Sequence, residues 1–429
     1  MELDAELRAT APAFAYVNGR LSAGGVDLAA IADAAGGPAY VYDLDAVVSN
    51  FRMFRDAFAG QATRICYAMK ANDCIAILDV LAREGAGVDV VSGGELALAV
   101  AAGVPANRIV FSGVGKTDAE LAQAVEAGVM QINVETEAEL VRLDRIAAAR
   151  GRRAPVAIRV NPDVEAGTLD QISTGRAQDK FGIAFDVAGP LYRDAAAMEG
   201  IEPVGIAMHI GSQIGDVAFL AKACGRLRGM WEDLAGMGVP LRRFDIGGGL
   251  GIRYRDETPA AIQDYAATVK QAVSGLDCEI VLEPGRRIVG ATGVLLATVV
   301  AVKETADRRF VILDAAMNDL MRPALYGAYH AIVPLAAPPA GAPWAPADVV
   351  GPVCESTDKF AEARPLPPLQ AGDRVAFLSA GAYGAVLSSE YNGRPRAAEA
   401  VVRNGQWSFS RPPRDYQALI SEQAKPSWL

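Results

Sequence analysis

Between Arg64 and Arg286 short apolar runs, each closed by a polar residue or a glycine, alternate with longer stretches of helical periodicity. The runs are RICYAMK (64–70), GVDVVS (87–92), RIVFSG (108–113), MQINVE (130–135), VAIRVN (156–161), VGIAMHIG (204–211), RRFDIGG (242–248) and EIVLEPGR (279–286). Amphipathic segments such as TDAELAQAVEAG (117–128) and TEAELVRLDRIAAAR (136–150) lie between them. Near-continuous apolar strands alternating with helices mark parallel βαβ units. Eight in succession predict an α/β chain whose strands close into a (β/α)8 TIM-like barrel. An open doubly wound sheet is the alternative, but no GxGxxG turn follows the first run.

The rhythm changes after Gly290. GVLLATVVAVKE (293–304), RRFVILDA (308–315) and DRVAFLSA (373–380) read as strands without long helices between them. AAPPAGAPWAPA (336–347) and ARPLPPLQAG (363–372) read as connections, because proline cannot sit inside a helix. FAYVNGRL (14–21) predicts a hairpin with an Asn-Gly turn. The expected organisation is an N-terminal segment, 1–40, that joins the β domain, a barrel over 41–289 entered by a helix at 43–60, and a mostly-β domain over 290–429.

Composition narrows the function. A net charge of −10 with no Lys/Arg cluster argues against nucleic acid. Five cysteines without a CxxC pair and only two histidines give no metal site. No apolar run is long enough to span a bilayer. The acidic start MELDAELRAT lacks the features of a signal peptide, and unpaired thiols suit a reducing cytoplasm.

In barrels the chemistry sits at the C-terminal ends of the strands. Those ends carry Lys70, Asp89 with Ser92, Ser112, Glu135, Asn161, His209 with Ser212, Gly247 to Gly249, and Glu283 with Gly285 and Arg286. Together they describe a pocket for a charged aromatic phosphate. A lysine among apolar walls becomes nucleophilic toward an aldehyde, although most lysines are surface groups with buried stems. Glycines let N–H groups cradle a phosphate, although a tight turn also needs them. Glu283 suits a pyridine nitrogen or, more plainly, a turn before Pro284. His209 suits a ring face or an ordinary core position. SGVGKT (112–117) imitates a phosphate loop, but Val110 stands where its first glycine is required, so Gly115-Lys116-Thr117 reads as a loop entering a helix.

The segments YAMKAN (67–72), DVVSGGEL (89–96), FSGVGK (111–116), IRVNPDV (158–164), ISTG…KFGI (172–183), MHIGSQ (208–213), DIGGGLGI (245–252), EPGR (283–286), DAAMNDLMRPALYGAYH (314–330), GPVCES (351–356) and SAGAYGAV (379–386) run in order across nearly the whole chain. In them the chain resembles the diaminopimelate decarboxylases, fold-type III pyridoxal-phosphate enzymes related to ornithine decarboxylase. The resemblance implies pyridoxal 5'-phosphate as cofactor and decarboxylation of meso-2,6-diaminopimelate to L-lysine, the last step of lysine biosynthesis. It implies that Lys70 carries the cofactor as a Schiff base and that Asp89 belongs to the cofactor site. His209 stacks on the ring, and Ser212 with Gly247, Gly248, Gly249 and Gly285 holds the phosphate. Glu283 faces the ring nitrogen. Arg286, Arg322 and Tyr326 bind the retained carboxylate, Glu355 the distal amino group, and Tyr383 both cofactor and substrate. Cys354 supplies a proton across a homodimer interface. A free thiol, with a reference pKa of about 8.5, is largely protonated at neutral pH and suits that task. A buried apolar position is the commoner fate of a cysteine.

Diaminopimelate differs from lysine and ornithine by a second carboxylate, which two arginines can bind through forked contacts. The segment EAGTLDQISTG (165–175) departs from the family pattern, with Leu169 in place of an expected histidine, so a related amino acid stays open as substrate. A fold-type III racemase is a second alternative, disfavoured by Cys354. A cofactor-free binding protein is a third, disfavoured by Lys70.

Overall fold

The computed structural model describes residues 3–164 and 180–429. The divergent 165–175 segment lies outside the described residues. Two compact units are present. One comprises Met1–Val47, Arg253–Asp256 and Val289–Leu429, the other Val48–Ile252 and Glu257–Ile288.

The chain begins in the first unit with β1 (Phe14–Val17), β2 (Arg20–Ala23), β3 (Val26–Asp27) and β4 (Ala39–Asp43). The hairpin β1–β2 forms where FAYVNGRL places it, with Val17 opposite Arg20 and with Asn18 and Gly19 at φ of 50° and 76°. Positive φ at both turn positions is what Asn-Gly supplies.

The second unit is the barrel. Its strands are β5 (Thr63–Ala68), β6 (Gly87–Val90), β7 (Ile109–Phe111), β8 (Gln131–Val134), β9 (Ala154–Asn161), the short β10 (Ile183–Ala184), β11 (Ile201–Ala207), β12 (Arg243–Asp245) and β13 (Glu279–Leu282). Each of the eight apolar runs overlaps one barrel strand. The pairings are parallel and run β5-β6-β7-β8-β9-β11-β12-β13, and β13 pairs again with β5. That last pairing closes the ring and rejects the open sheet. Helices begin where side chains can cap them: Thr117 and Glu120 form a capping box before Asp118–Ala127, and Thr136 caps Glu137–Ala148. Ser92, at a strand end, caps Gly93–Ala101.

Back in the first unit come β14 (Gly293–Glu304), β15 (Arg309–Leu313), β16 (Ile332–Pro334), β17 (Ala345–Val350), β18 (Lys359–Leu366), β19 (Arg374–Phe377), β20 (Ala398–Arg403) and β21 (Gln406–Arg411). They form a sheet ordered β18-β17-β15-β14-β4-β20-β21, with β19 paired to β14 and β16 to β19. The Pro-rich segments are not pure connections. Residues 345–347 and 363–366 are strand, with Pro346 opposite Pro365 in the β17–β18 pair. Two prolines facing each other at a non-hydrogen-bonded pair sacrifice no ladder bond. Leu7, Phe14, Leu21, Ile31, Val41 and Val294 belong to one buried core of this unit. No helix among the described residues is long and apolar enough to cross a membrane.

Candidate active site

Lys70 lies in a single turn, Met69–Ala71, immediately after β5. Its Nζ donates to Asp89 Oδ2 at 2.7 Å, with the Lys70 side chain 33% exposed and Asp89 fully buried. Asp89 sits on the adjacent strand β6, and its Oδ1 is buried without a hydrogen-bond partner among the described residues. Gly285 packs against the same turn: a Cβ there would stand 3.0 Å from Ala71 Cβ and 3.1 Å from Ala68 O.

The glycine strip follows β12. A Cβ on Gly248 would fall 2.0 Å from Glu283 O, and one on Gly249, at φ 109°, would fall 2.3 Å from Gly211 O. No side chain fits at either position, so the strip exposes bare backbone. Gly247 closes the strip to β13 by accepting from Glu283 N at 2.7 Å. Gly248 N–H donates to His209 Nδ1 at 3.2 Å, which leaves the imidazole proton on Nε2. Burial, then Lys70, then Arg159 hold the His209 pKa well below the usual value, so the ring is neutral. Ser212 Oγ accepts from Arg286 Nη2 at 3.0 Å.

Deeper in the barrel lies a polar layer. Residues two apart on a strand share a face. On β8 those residues are Gln131 and Asn133, and both donate to Asp245 Oδ2 on β12, at 2.9 and 3.3 Å. Strands β8 and β12 are not neighbours in the ring, so these bonds cross the interior. Asn133 Nδ2 also lies 3.1 Å from Ser112 Oγ and 3.3 Å from Glu283 Oε1. Burial pushes Asp245 up to about 7 and Glu283 well above the carboxylate range. For Glu283 the neighbours Asp245 and Asp89 add to that rise, while Lys70 and Arg159 oppose it. Glu135, another strand-end acid, holds Arg159 Nη1 at 3.0 Å and accepts from Gly113 N and Gly182 N, both at 3.1 Å.

The remaining expected residues belong to the other unit. Arg322 opens the short helix Arg322–Tyr326 and is buried. Its Nη1 lies 2.7 Å from His330 Nε2, and its guanidinium stands 4.5 Å from the Tyr254 ring centroid. His330 Nδ1 lies 2.8 Å from Leu378 O. A carbonyl can only accept, so Nδ1 carries the proton and Nε2 accepts from Arg322. Tyr326 is half-buried. Tyr383, also half-buried, adopts φ 57°, a left-handed conformation that a bulky residue rarely takes and that recurs at functional sites. Cys66, Cys74, Cys224 and Cys278 are buried, whereas Cys354 is exposed beside exposed Glu355. Asp358 pins their loop by accepting from Val353 N at 2.7 Å, and Asn392 accepts from Cys354 N at 2.9 Å.

The sequence profile of the pyridoxal-dependent decarboxylases, pyridoxal binding domain, matches residues 44–290. A diaminopimelate decarboxylase of Pseudomonas aeruginosa is 47% identical over 396 residues, covering 92% of this chain and 94% of the relative. The chain belongs to the diaminopimelate decarboxylase family. Among solved structures, diaminopimelate decarboxylase from Helicobacter pylori complexed with L-lysine superposes with a TM-score of 0.89 at 39% identity, covering 92% of this chain and 99% of that one. The enzyme from M. jannaschii in co-complex with L-lysine gives 0.91 at 33% identity, covering 97% and 98%.

Within this family frame, the barrel unit brings together Lys70, Asp89, His209, Gly247 to Gly249, Ser212, Glu283, Gly285 and Arg286 at the strand ends. Sequence reasoning gave no role to Gln131, Asn133, Asp245 or Arg159. The signal for the first two was present: two amides at i and i+2 in an otherwise apolar strand. Asp245 opens the DIGGGLGI segment, an acid at the end of an apolar strand.

Proposed function

We propose that this chain decarboxylates meso-2,6-diaminopimelate to L-lysine and CO2, with pyridoxal 5'-phosphate held at the strand ends of its barrel. The observation that carries this reading is the Lys70–Asp89 pair standing at the same end of the barrel as a glycine strip that admits no side chain.

The residues fit the cofactor. An aldehyde needs an amine, and Lys70 is half-buried on a carboxylate. A phosphate needs N–H groups and a hydroxyl, which Gly249 and Ser212 offer. The N–H groups of Gly247 and Gly248 are engaged by Asp245 Oδ1 and His209 Nδ1, so those two glycines serve by leaving room rather than by donating. A pyridine nitrogen needs a carboxyl group, and Glu283 is buried behind the strip. Asp89 Oδ1, buried and unsatisfied among the described residues, is an acceptor awaiting a partner.

When bound, pyridoxal phosphate supplies an electron sink for the pair left behind by departing CO2. The chain's own groups do the rest. Lys70 would hold the cofactor, and Asp89 would orient its Nζ. His209, neutral and fixed through Nδ1, would offer a flat face without adding a charge. Ser212 would hold phosphate and is itself oriented by Arg286. We assign Arg286, Arg322 and Tyr326 to the retained carboxylate, which a fork of N–H donors binds in two contacts. Glu355 would take the distal amine, and Tyr383 would touch cofactor and substrate. Cys354 Sγ would deliver the proton to the carbon that lost CO2. Its exposure supports delivery to a second copy of the chain, hence a homodimer. The thiols suit a reducing compartment, and we place the enzyme in the cytoplasm.

The deciding experiment is CO2 release from meso-diaminopimelate, lysine, ornithine and arginine side by side. Diaminopimelate is expected to be preferred, and preference for any other would overturn the substrate. Mixing Lys70→Ala with Cys354→Ala chains is expected to restore activity that neither has alone. Failure to restore it would remove the shared site.

A further inference from the structure

The barrel interior holds more carboxylates than its cations answer. Asp89, Asp245 and Glu283 are 0%, 0% and 6% exposed. Lys70 is paired to Asp89, and Arg159 to Glu135. Among the described residues no lysine or arginine lies within ion-pair distance of Asp245 or Glu283.

The hydrogen bonds say how the two acids coexist. Asp245 Oδ1 accepts from Gly247 N at 2.9 Å, and its Oδ2 accepts from Gln131 Nε2 at 2.9 Å and Asn133 Nδ2 at 3.3 Å. Among the described residues Glu283 Oε1 has only a share of the same Asn133 amide, at 3.3 Å. The two carboxyl groups thus converge on one amide, Asn133 Nδ2, which stands 3.3 Å from an oxygen of each. Two buried carboxylates sharing one amide, with no cation in ion-pair distance among the described residues, cannot both be ionised, so the pair holds a proton. Three N–H donors stabilise the anion on Asp245, so the proton belongs on Glu283.

We infer that Asp245 is a positioning residue: ionised, and sharing the Asn133 amide with a protonated Glu283, it keeps one proton stored in the barrel core. Gln131 and Asn133 hold Asp245 in place for that task. The functional meaning rests on the reading of Glu283 as the group that meets the cofactor's ring nitrogen. On that reading the position is supplied with its proton before the cofactor arrives.

The electrostatics agree with the geometry. Burial raises both acids, and the charged groups around them are Asp89 and each other on one side, Lys70 and Arg159 on the other. A group whose folded pKa is raised contributes stability that is complete below its unfolded pKa and is lost as pH rises through the folded one. The pair therefore favours the folded chain in mild acid and weakens it toward alkali.

The test is infrared spectroscopy of the full-length chain freed of cofactor, with 13C-labelled Glu or Asp. At neutral pH the wild type is expected to show a protonated-carboxyl band that moves with the Glu label and is missing in Glu283→Gln. In Asp245→Asn the band should titrate away at lower pH, because the like-charged neighbour is gone. In parallel, the urea midpoint of the wild type should fall between about pH 5 and about pH 8, and both variants should fall less. The proposal is overturned if Glu283→Gln removes no band, if the difference band follows the Asp label, or if Asp245→Asn leaves the titration unchanged. None of these readouts needs the cofactor, so a chain that fails to decarboxylate diaminopimelate would refute the functional reading and leave this one standing.

Discussion

Lys116 offers the sharpest test of how the barrel supports its site. Its Nζ donates to Gly113 O at 2.6 Å, Asn133 O at 2.8 Å and Glu139 Oε1 at 2.6 Å. The side chains of the pair are 0% and 2% exposed. Replacing Lys116 by Met keeps the stem and deletes the charge, leaving two carbonyls without their donor and Glu139 without its cation. Burial already raises the Glu139 pKa, and Lys116 is the main force against that rise. Removing one member of a buried pair costs about 3–5 kcal/mol. At about 2–4 °C per kcal/mol this is a fall in Tm of roughly 6–20 °C. Urea and thermal melts followed by circular dichroism measure it. Glu139→Gln keeps an acceptor for Glu135 N, which Glu139 Oε2 now serves at 3.2 Å, and removes the stranded charge. The double variant should therefore recover at least about 1 kcal/mol relative to the sum of the singles. A Lys116→Met chain within about 1 kcal/mol of wild type, or strict additivity, would refute the reasoning.

Three further outcomes are expected. Gly248→Ala forces a methyl onto Glu283 O, where the backbone of two strands cannot separate. It should cost about 3 kcal/mol or more in urea unfolding and abolish cofactor uptake followed by absorbance, and a chain that loads normally would contradict the strip. His330→Phe retains a ring against Tyr254, whose present contact is edge-on at 5.5 Å, but removes the acceptor that orients Arg322 Nη1. It should raise KM for diaminopimelate about tenfold, or about 1.4 kcal/mol, with little change in kcat; an unmoved KM would free Arg322 from its assigned task. Lys70→Ala should leave a colourless chain, and a visible band that resists borohydride treatment in the wild type would deny the covalent role of Lys70.

The parts of the fold legible in the sequence are those in which local pattern and tertiary placement agree. Barrel strands are buried on both faces, so each reads as an apolar run, and the Asn18-Gly19 turn needs nothing beyond its own two residues. Strand ends are readable because one end of a barrel collects the polar residues. What escaped is what depends on a partner far along the chain. Gln131 and Asn133 look like ordinary polar positions until Asp245, 114 and 112 residues away, is brought across the ring. Pro346 and Pro365 read as breakers until the register sets them opposite each other.

Lys116 shows the same limit in its chemistry. A lysine after glycine and before threonine is the signature of a phosphate loop, and the missing first glycine argues against that role. The exclusion left no reason for a lysine there. The reason is Glu139, 23 residues on, whose one oxygen takes the ammonium while the other accepts from Glu135 N. Glu135 in turn holds Arg159, and Arg159 lowers His209 and Glu283 alike. A buried charge at the head of one helix thus bears on the protonation of two groups at the candidate site, through contacts that only the closed ring creates.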